Sequence, residues 1–191
     1  MKKIKNFKVN LRVREILRVI KKLTNNVELP VELEEAVQRG CHFYSNFLVP
    51  SVVYDTFGKG TSELVYEKDA PAKWVAQSIY FVTIGNSLQQ EYKKNEEAYG
   101  EHTGKIVSAI AVDAVEQAKN FLQRLISNEA GAENCDISRS VDLLADLYEE
   151  AFKIVPADKI DVLVQDGGLI PQYSSCGLFY WIPSKKKTSK K

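Results

Sequence analysis

Between Leu11 and Leu23 the apolar residues Leu11, Ile16, Leu17, Ile20 and Leu23 recur at helical spacing, with Arg and Lys on the opposite side. The spacing predicts an amphipathic helix over 11–23. After Thr24-Asn25-Asn26, Pro30 stands where the first turn of a second helix begins, and acidic residues follow at the positive end of its dipole. That helix runs through VELEEAVQRGCHFYSNFL and stops at Pro50. The pattern then changes. SVVYDTF (51–57) and TSELVYE (61–67) are β-branched and aromatic with rough alternation, and the Gly-Lys-Gly between them predicts a hairpin.

SIYFVTI (78–84) is a further strand, halted at Gly85, after which Asn86 or Ser87 caps a polar helix reaching about Tyr99. The longest periodic run is 103–127, where Val107, Ala111, Ala114, Ala118, Leu122 and Leu125 recur every three or four residues. Its small Ala and β-branched Val residues imply close approach to a neighbour, so this helix is central. A loop, NEAGAENCD (128–136), precedes another helix, SRSVDLLADLYEEAF (138–152), capped by Ser138 or Asp136. KIDVLVQ (159–165) and CGLFYWI (176–182) read as a closing strand pair. Hairpin and closing pair favour antiparallel pairing, so the fold class is α+β: a twisted, largely antiparallel sheet flanked by helices.

Length and composition add boundaries to this picture. With 191 residues, 45% hydrophobic and 27% charged, the chain suits one folded domain, placed at 1–183, followed by a disordered tail over 184–191 that carries five lysines. A solvated tail is one reading of those lysines; an adaptor for RNA or anionic lipid is the other. The formal charge of +1 gives no global field to steer nucleic acid or a membrane, so neither is expected as a partner. Charges interrupt every apolar run before a signal core or a membrane span could form. Cys41, Cys135 and Cys176 are odd in number and far apart, which predicts a reduced, cytoplasmic setting.

Catalytic signals are sparse. His42 and His102 sit in no metal-binding spacing, so no metal is expected, and Cys41-His42 point about 100° apart on a helix, which excludes a nucleophile–base pair. There is no phosphate-binding glycine loop. TIGNS (83–87) reads as a capped turn or as an anion-binding helix start. Asp113 and Glu116 share one side of the central helix, as acid–base groups if they face a cleft or as solvated or paired carboxylates if they do not. No catalytic residue is assigned.

The most informative stretch is DGGLIPQYSSCGLFYW (166–181). Paired glycines permit φ > 0 or close backbone approach, and Ser174-Ser175-Cys176-Gly177 open a strand with little side-chain bulk. A flat polar ligand, another protein's backbone, or a tight turn with a bulge would each use such residues.

IDVLVQDGGLIPQYSSCGLFYW resembles the segment of cobalamin-dependent methionine synthase activation domains that reads approximately G-x-x-L-T-E-S-x-x-M-x-P-x-x-S-V-S-G. Pro171, Ser174, Cys176 and Gly177 fall in its P-x-x-S-x-[SC]-G register, and IAVDAVEQAKNFL is similar to the family's acidic, alanine-rich central helix. The family's R-x-x-P-G-Y loop has NEAGAENCD in its place, and Gln165 or Asp166 stands for the glutamate of L-T-E-S. The resemblance implies a reactivation domain that binds S-adenosylmethionine and docks on a corrinoid-binding protein or methyltransferase. There it assists remethylation of cobalamin presented by that partner, after reduction by a reductase. It implies cofactor contacts at Tyr173, Ser174, Ser175, Cys176 and Gly177, with Gln165 and Asp166 nearby. Gly177→Leu is then expected to fold but to fill the groove. A docking partner that has kept the fold and lost the sulfonium site is the alternative.

Overall fold

The computed structural model describes residues 1–24, 31–61, 64, 66, 70–94 and 103–184, apart from the side chain of Val31. Its centre is a six-stranded antiparallel sheet. Strands β1 (Lys2–Lys5), β2 (Ser51–Gly58), β3 (Ala76–Thr83), β8 (Ser174–Pro183) and β4 (Cys135–Ile137) lie in that order, and the two-residue β5 (Val141–Asp142) also pairs with β8. A separate ribbon is formed by β6 (Leu163–Gln165) and β7 (Gly168–Ile170).

Alternation along the strands assigns the two faces. Val52, Tyr54, Tyr80, Val82, Phe179 and Trp181 pack against Ala118, Leu122, Ile126 and Ala130 of the central helix α4 (Thr103–Ala132). Val53, Ile79, Phe81, Leu178 and Tyr180 point the other way, onto α5 (Tyr148–Ile154) and the segment through Val162. With both faces covered, β3 is buried over Gln77–Thr83. Helices α1 (Val13–Thr24) and α2 (Val31–Tyr44) bury Ile16, Ile20, Leu33 and Val37 against the first half of α4. The polar helix α3 (Ser87–Lys94) adds Leu88 to the same cluster.

The N-terminal segment runs antiparallel along α4. Phe7 stacks on Phe121 with ring centroids 4.2 Å apart, the Asn10 amide donates to Gln117 Oε1 at 3.0 Å, and Arg12 meets Asp113. The Asp113 side chain is 1% exposed. It is satisfied by the Arg12 backbone N–H at 3.1 Å, Arg12 Nη2 at 2.6 Å and Gln117 Nε2 at 2.7 Å. A buried carboxylate is tolerated when its lone pairs are met in this way.

Several predicted elements are corrected. β2 pairs with β3 rather than with 61–67; Thr61, Leu64 and Tyr66 lie outside any strand, and 62, 63, 65 and 67 lie outside the described residues. β1 has no counterpart in the periodicity, because four residues with one apolar side chain carry no pattern; its register comes from β2. α4 continues to Ala132 through most of the predicted loop, since Leu122, Ile126 and Ala130 extend its buried stripe. The helix expected over 138–152 is confined to α5; Val141 and Asp142 instead join β8, and a 3₁₀ turn covers Ala145–Leu147. The closing strands do not pair with each other. β6 turns back on β7 through Asp166 (φ 50°) and Gly167 (φ 72°), both positive as a two-residue type I′ turn requires, and β8 inserts between β3 and β4. The helix predicted through Tyr99 is seen to Lys94, and 95–100, His102 and the lysine tail from 185 lie outside the described residues.

Candidate functional site

β8 has two ends of opposite character. At its start, Ser174 lies beside Thr83 and Gly177 beside Tyr80 across the β3 register, while Asp142 of β5 flanks Gly177 on the other side. A Cβ on Gly177 would lie 2.5 Å from Tyr80 Oη and 2.6 Å from the Val141 carbonyl oxygen. What approaches the backbone here is the chain itself. The missing side chain lets the Tyr80 ring lie over the strand so that its hydroxyl and that of Ser140 meet at 2.5 Å. Burial pushes the Tyr80 phenol far above its usual range, so it stays protonated. The groove that Gly177→Leu was expected to fill is occupied, and that expectation is withdrawn.

The other predicted residues divide between surface and interior. Cys176 is 1% exposed, and burial, with Asp142 adding to it, drives its thiol pKa strongly up. Ser174 Oγ is engaged within the protein, its one proton facing Thr83 Oγ1 at 2.9 Å and the Pro171 carbonyl at 2.7 Å. Ser175 Oγ reaches Asp142 Oδ1 at 3.5 Å, and Lys119 Nζ donates to the same oxygen at 2.8 Å. Tyr173 is half-buried, with its hydroxyl 3.5 Å from that of Ser108. Gln165 and Asp166 are exposed at the tip of the β6–β7 ribbon, on a sheet separate from β8. Ser175 thus shares a polar strand opening with Asp142 and Lys119, whereas Ser174 turns to the other face of the sheet and Tyr173 lies by Ser108; Gln165 and Asp166 are not joined to them by any hydrogen bond among the described residues.

Two other stretches take their place in the fold. Asp113 faces Arg12 and Gln117 inside the fold and Glu116 is exposed, 3.7 Å from Lys119, so the pair does not flank a cleft as acid–base groups. At the start of α3 the Gly85 amide donates to Thr83 Oγ1 at 3.1 Å, which ties the turn back to β3.

The far end of β8 opens into a cleft of about 680 Å³ between the end of α4 and the adjoining ends of β2 and β3. Trp181 and Tyr54, 7% and 2% exposed because their rings pack on α4, back its wall; Val75, Ala76 and Gly58 line one side, and Asp55, Glu129 and Glu133 the acidic rim, where the N-terminal ammonium pairs with Asp55 at 2.9 Å and Lys2 stands across. The wall is fixed from behind: Trp181 Nε1 donates to Ser78 Oγ at 2.8 Å, and Ser78 and Thr56 hydroxyls meet at 2.7 Å. Tyr54 donates to Glu129 at 2.5 Å, and Lys2 pairs with the same carboxylate at 2.9 Å. Burial first, and the neighbouring Glu129 second, raise the Tyr54 phenol well above its usual value, which keeps it a donor. The cleft's residues come from six elements spread along the sequence, and no short motif contains them; the continuing apolar stripe at Leu122, Ile126 and Ala130 was the one signal placing Glu129 on a helix.

Among the described residues, no three His, Cys, Asp or Glu side chains gather to hold a metal ion, and no helix is long and apolar enough to cross a membrane. No protein-family model and no curated protein matches the chain. The fold does recur among solved structures. A crystal structure of the MetH reactivation domain bound to AdoHcy superposes with a TM-score of 0.61 at 11% sequence identity, over 97% of this chain and 80% of that one. The chain therefore has the mixed α and β architecture, a curled antiparallel sheet with helices, of the MetH reactivation domain.

Proposed function

We propose that the protein is a reactivation-type domain: it binds S-adenosylmethionine or its demethylated product and docks on a corrinoid protein or a cobalamin-dependent methyltransferase. One observation carries this reading, the fold shared over 97% of the chain with a domain solved with AdoHcy bound. The cleft gives that ligand class a place. Its room of about 680 Å³ is enough for a nucleoside, and Glu133, beside the already paired Glu129 and Asp55, is the carboxylate left among the described residues there to meet a sulfonium or ammonium charge. When bound, S-adenosylmethionine would supply a transferable methyl group, and the protein would hold and orient it. At the opposite end of β8, Tyr173, Ser174 and Ser175, with Gln165 and Asp166 on the neighbouring ribbon, present polar groups to a docked partner. Cys176 and Gly177 support that surface from beneath.

A second reading, a docking partner without the sulfonium ligand, is favoured by two features. Val141 and Asp142 pair along the small-residue end of β8, and NEAGAENCD stands in place of the R-x-x-P-G-Y loop. Calorimetric titration with S-adenosylmethionine and S-adenosylhomocysteine separates the two. Saturable binding that weakens at least tenfold in Glu133→Lys supports the cleft. Binding that Glu133→Lys leaves unchanged moves the ligand elsewhere. No heat with either compound, with clear binding to a corrinoid protein, leaves the docking reading alone.

A further inference from the structure

The whole-chain charge of +1 hides a steep division. Residues 1–24 hold nine Lys or Arg against one acid, Glu15, whereas residues 25–184 hold 12 basic residues against 24 acidic ones. On α1, Arg14, Arg18, Lys21 and Lys22 lie opposite the buried Ile16 and Ile20, directed straight into solvent. The helix dipole accounts for Lys21 and Lys22 in the last turn; it disfavours Arg14 in the first. On the adjacent α2, Glu32 and Glu35 are exposed in the opening turns. Among the described residues, the ion pairs these helices make stay within each of them, Arg18 with Glu15 at 2.8 Å and Arg39 with Glu35 at 3.5 Å. The same region leaves two large apolar side chains in water, Leu23 at 58% and Phe43 at 45% exposure.

We infer that the α1–α2 face is a self-complementary docking surface for a second copy of this chain. A basic and an acidic stripe side by side meet their opposites when two copies face each other across a two-fold axis, α1 of each on α2 of the other. The chain itself presents both halves of that match. A near-zero net charge removes the overall repulsion that would otherwise keep copies apart. A membrane plane or a long nucleic acid would instead bring the acidic stripe and the acidic body against another polyanion. Helices of 12 and 14 residues side by side offer roughly 400 Å² per copy, about 800 Å² in all, at the low end for protein interfaces. The dimer is accordingly weak and salt-sensitive.

Sedimentation velocity on the full chain, up to about 0.5 mM, tests this in about 20 mM and about 500 mM salt, where the Debye length falls from roughly 20 Å to about 4 Å. Dimerisation at least tenfold weaker in the higher salt is expected. Arg14→Glu/Lys21→Glu and Glu32→Lys/Glu35→Lys change exposed residues only, and each alone is expected to be monomeric, because like stripes then oppose each other. Mixed one to one, they restore both contacts and form a heterodimer. A wild-type protein that stays monomeric in low salt overturns the inference. So does a charge-reversed variant that dimerises like wild type, or a mixture that yields no heterodimer.

Discussion

Gly177→Ala adds one methyl group at the most crowded point of the sheet. The new Cβ would stand 2.5 Å from Tyr80 Oη, 2.8 Å from Tyr80 Cζ and 2.6 Å from the Val141 carbonyl oxygen, all inside van der Waals contact. Tyr80 cannot turn away freely, because its hydroxyl is held to Ser140 at 2.5 Å, and the carbonyl belongs to the β5 pairing. Overpacking of this kind costs about 1–3 kcal/mol, and pulling Tyr80 from Ser140 adds about 1 kcal/mol. Relief of the glycine's own chain entropy returns about 0.5–1 kcal/mol. The net loss is therefore about 1–3.5 kcal/mol, a sizeable part of an ordinary domain stability, and corresponds to a melting temperature lower by roughly 2–14 °C in a chain of this size. Thermal and urea unfolding measure it. Gly131→Ala is the control, because nothing lies within 4 Å of its added Cβ, and stability there should rise by up to about 1 kcal/mol. In the double variant with Tyr80→Phe, removal of the hydroxyl leaves Cζ still too near, so the two costs should be less than additive. A Gly177→Ala protein that melts within about 1 °C of wild type would show that the β5 carbonyl steps aside freely, and would refute the account.

Other expectations follow from the same geometry. Asp113→Ala leaves the half-exposed Arg12 free to rehydrate, but removes the carboxylate that clamps residues 10–12 to α4. It should cost about 2 kcal/mol and speed amide hydrogen exchange in α1, and unchanged exchange would contradict the clamp. Gly167→Val forces a β-branched residue to φ 72° and should cost about 1–2 kcal/mol in urea unfolding, whereas Asp166→Gly at φ 50° should be neutral or mildly stabilising. Burial raises the Cys41 thiol to about 11, and the Cys176 thiol and the Tyr54 and Tyr80 phenols higher still. Each is an acid that ionises more readily in the unfolded chain. Its contribution is whole below the unfolded values of about 8.5 for Cys and about 10 for Tyr, and is lost as pH rises through the folded ones. Unfolding free energy should thus fall steadily above about pH 9, and a flat profile to pH 11 would refute these shifts. Native Cys176 should resist thiol reagents at neutral pH until the protein unfolds.

The apolar spacing alone determined the helices that bury one continuous stripe. Ile16 and Ile20 placed α1, and the every-fourth-residue run through Ala118 and Leu122 placed α4, because helical periodicity depends only on neighbours three and four residues away. The same logic placed the runs that became β2, β3 and β8, and the cluster of small residues at 174–177 correctly marked a point where backbones come close. Partners were a different matter. Whether β2 pairs with its sequence neighbour or with β3, and whether the last strand joins β6 or slides between β3 and β4, depends on which long-range burial wins, and no local pattern records that. Val141 and Asp142 look helical in isolation and became strand because β8 offered them hydrogen bonds. Tertiary packing also decided what Gly177 admits, which is Tyr80 and Val141. It assembled the cleft of Tyr54, Glu129 and Trp181 from residues about 50 or more apart, since a cavity is set by where elements cross rather than by any one of them.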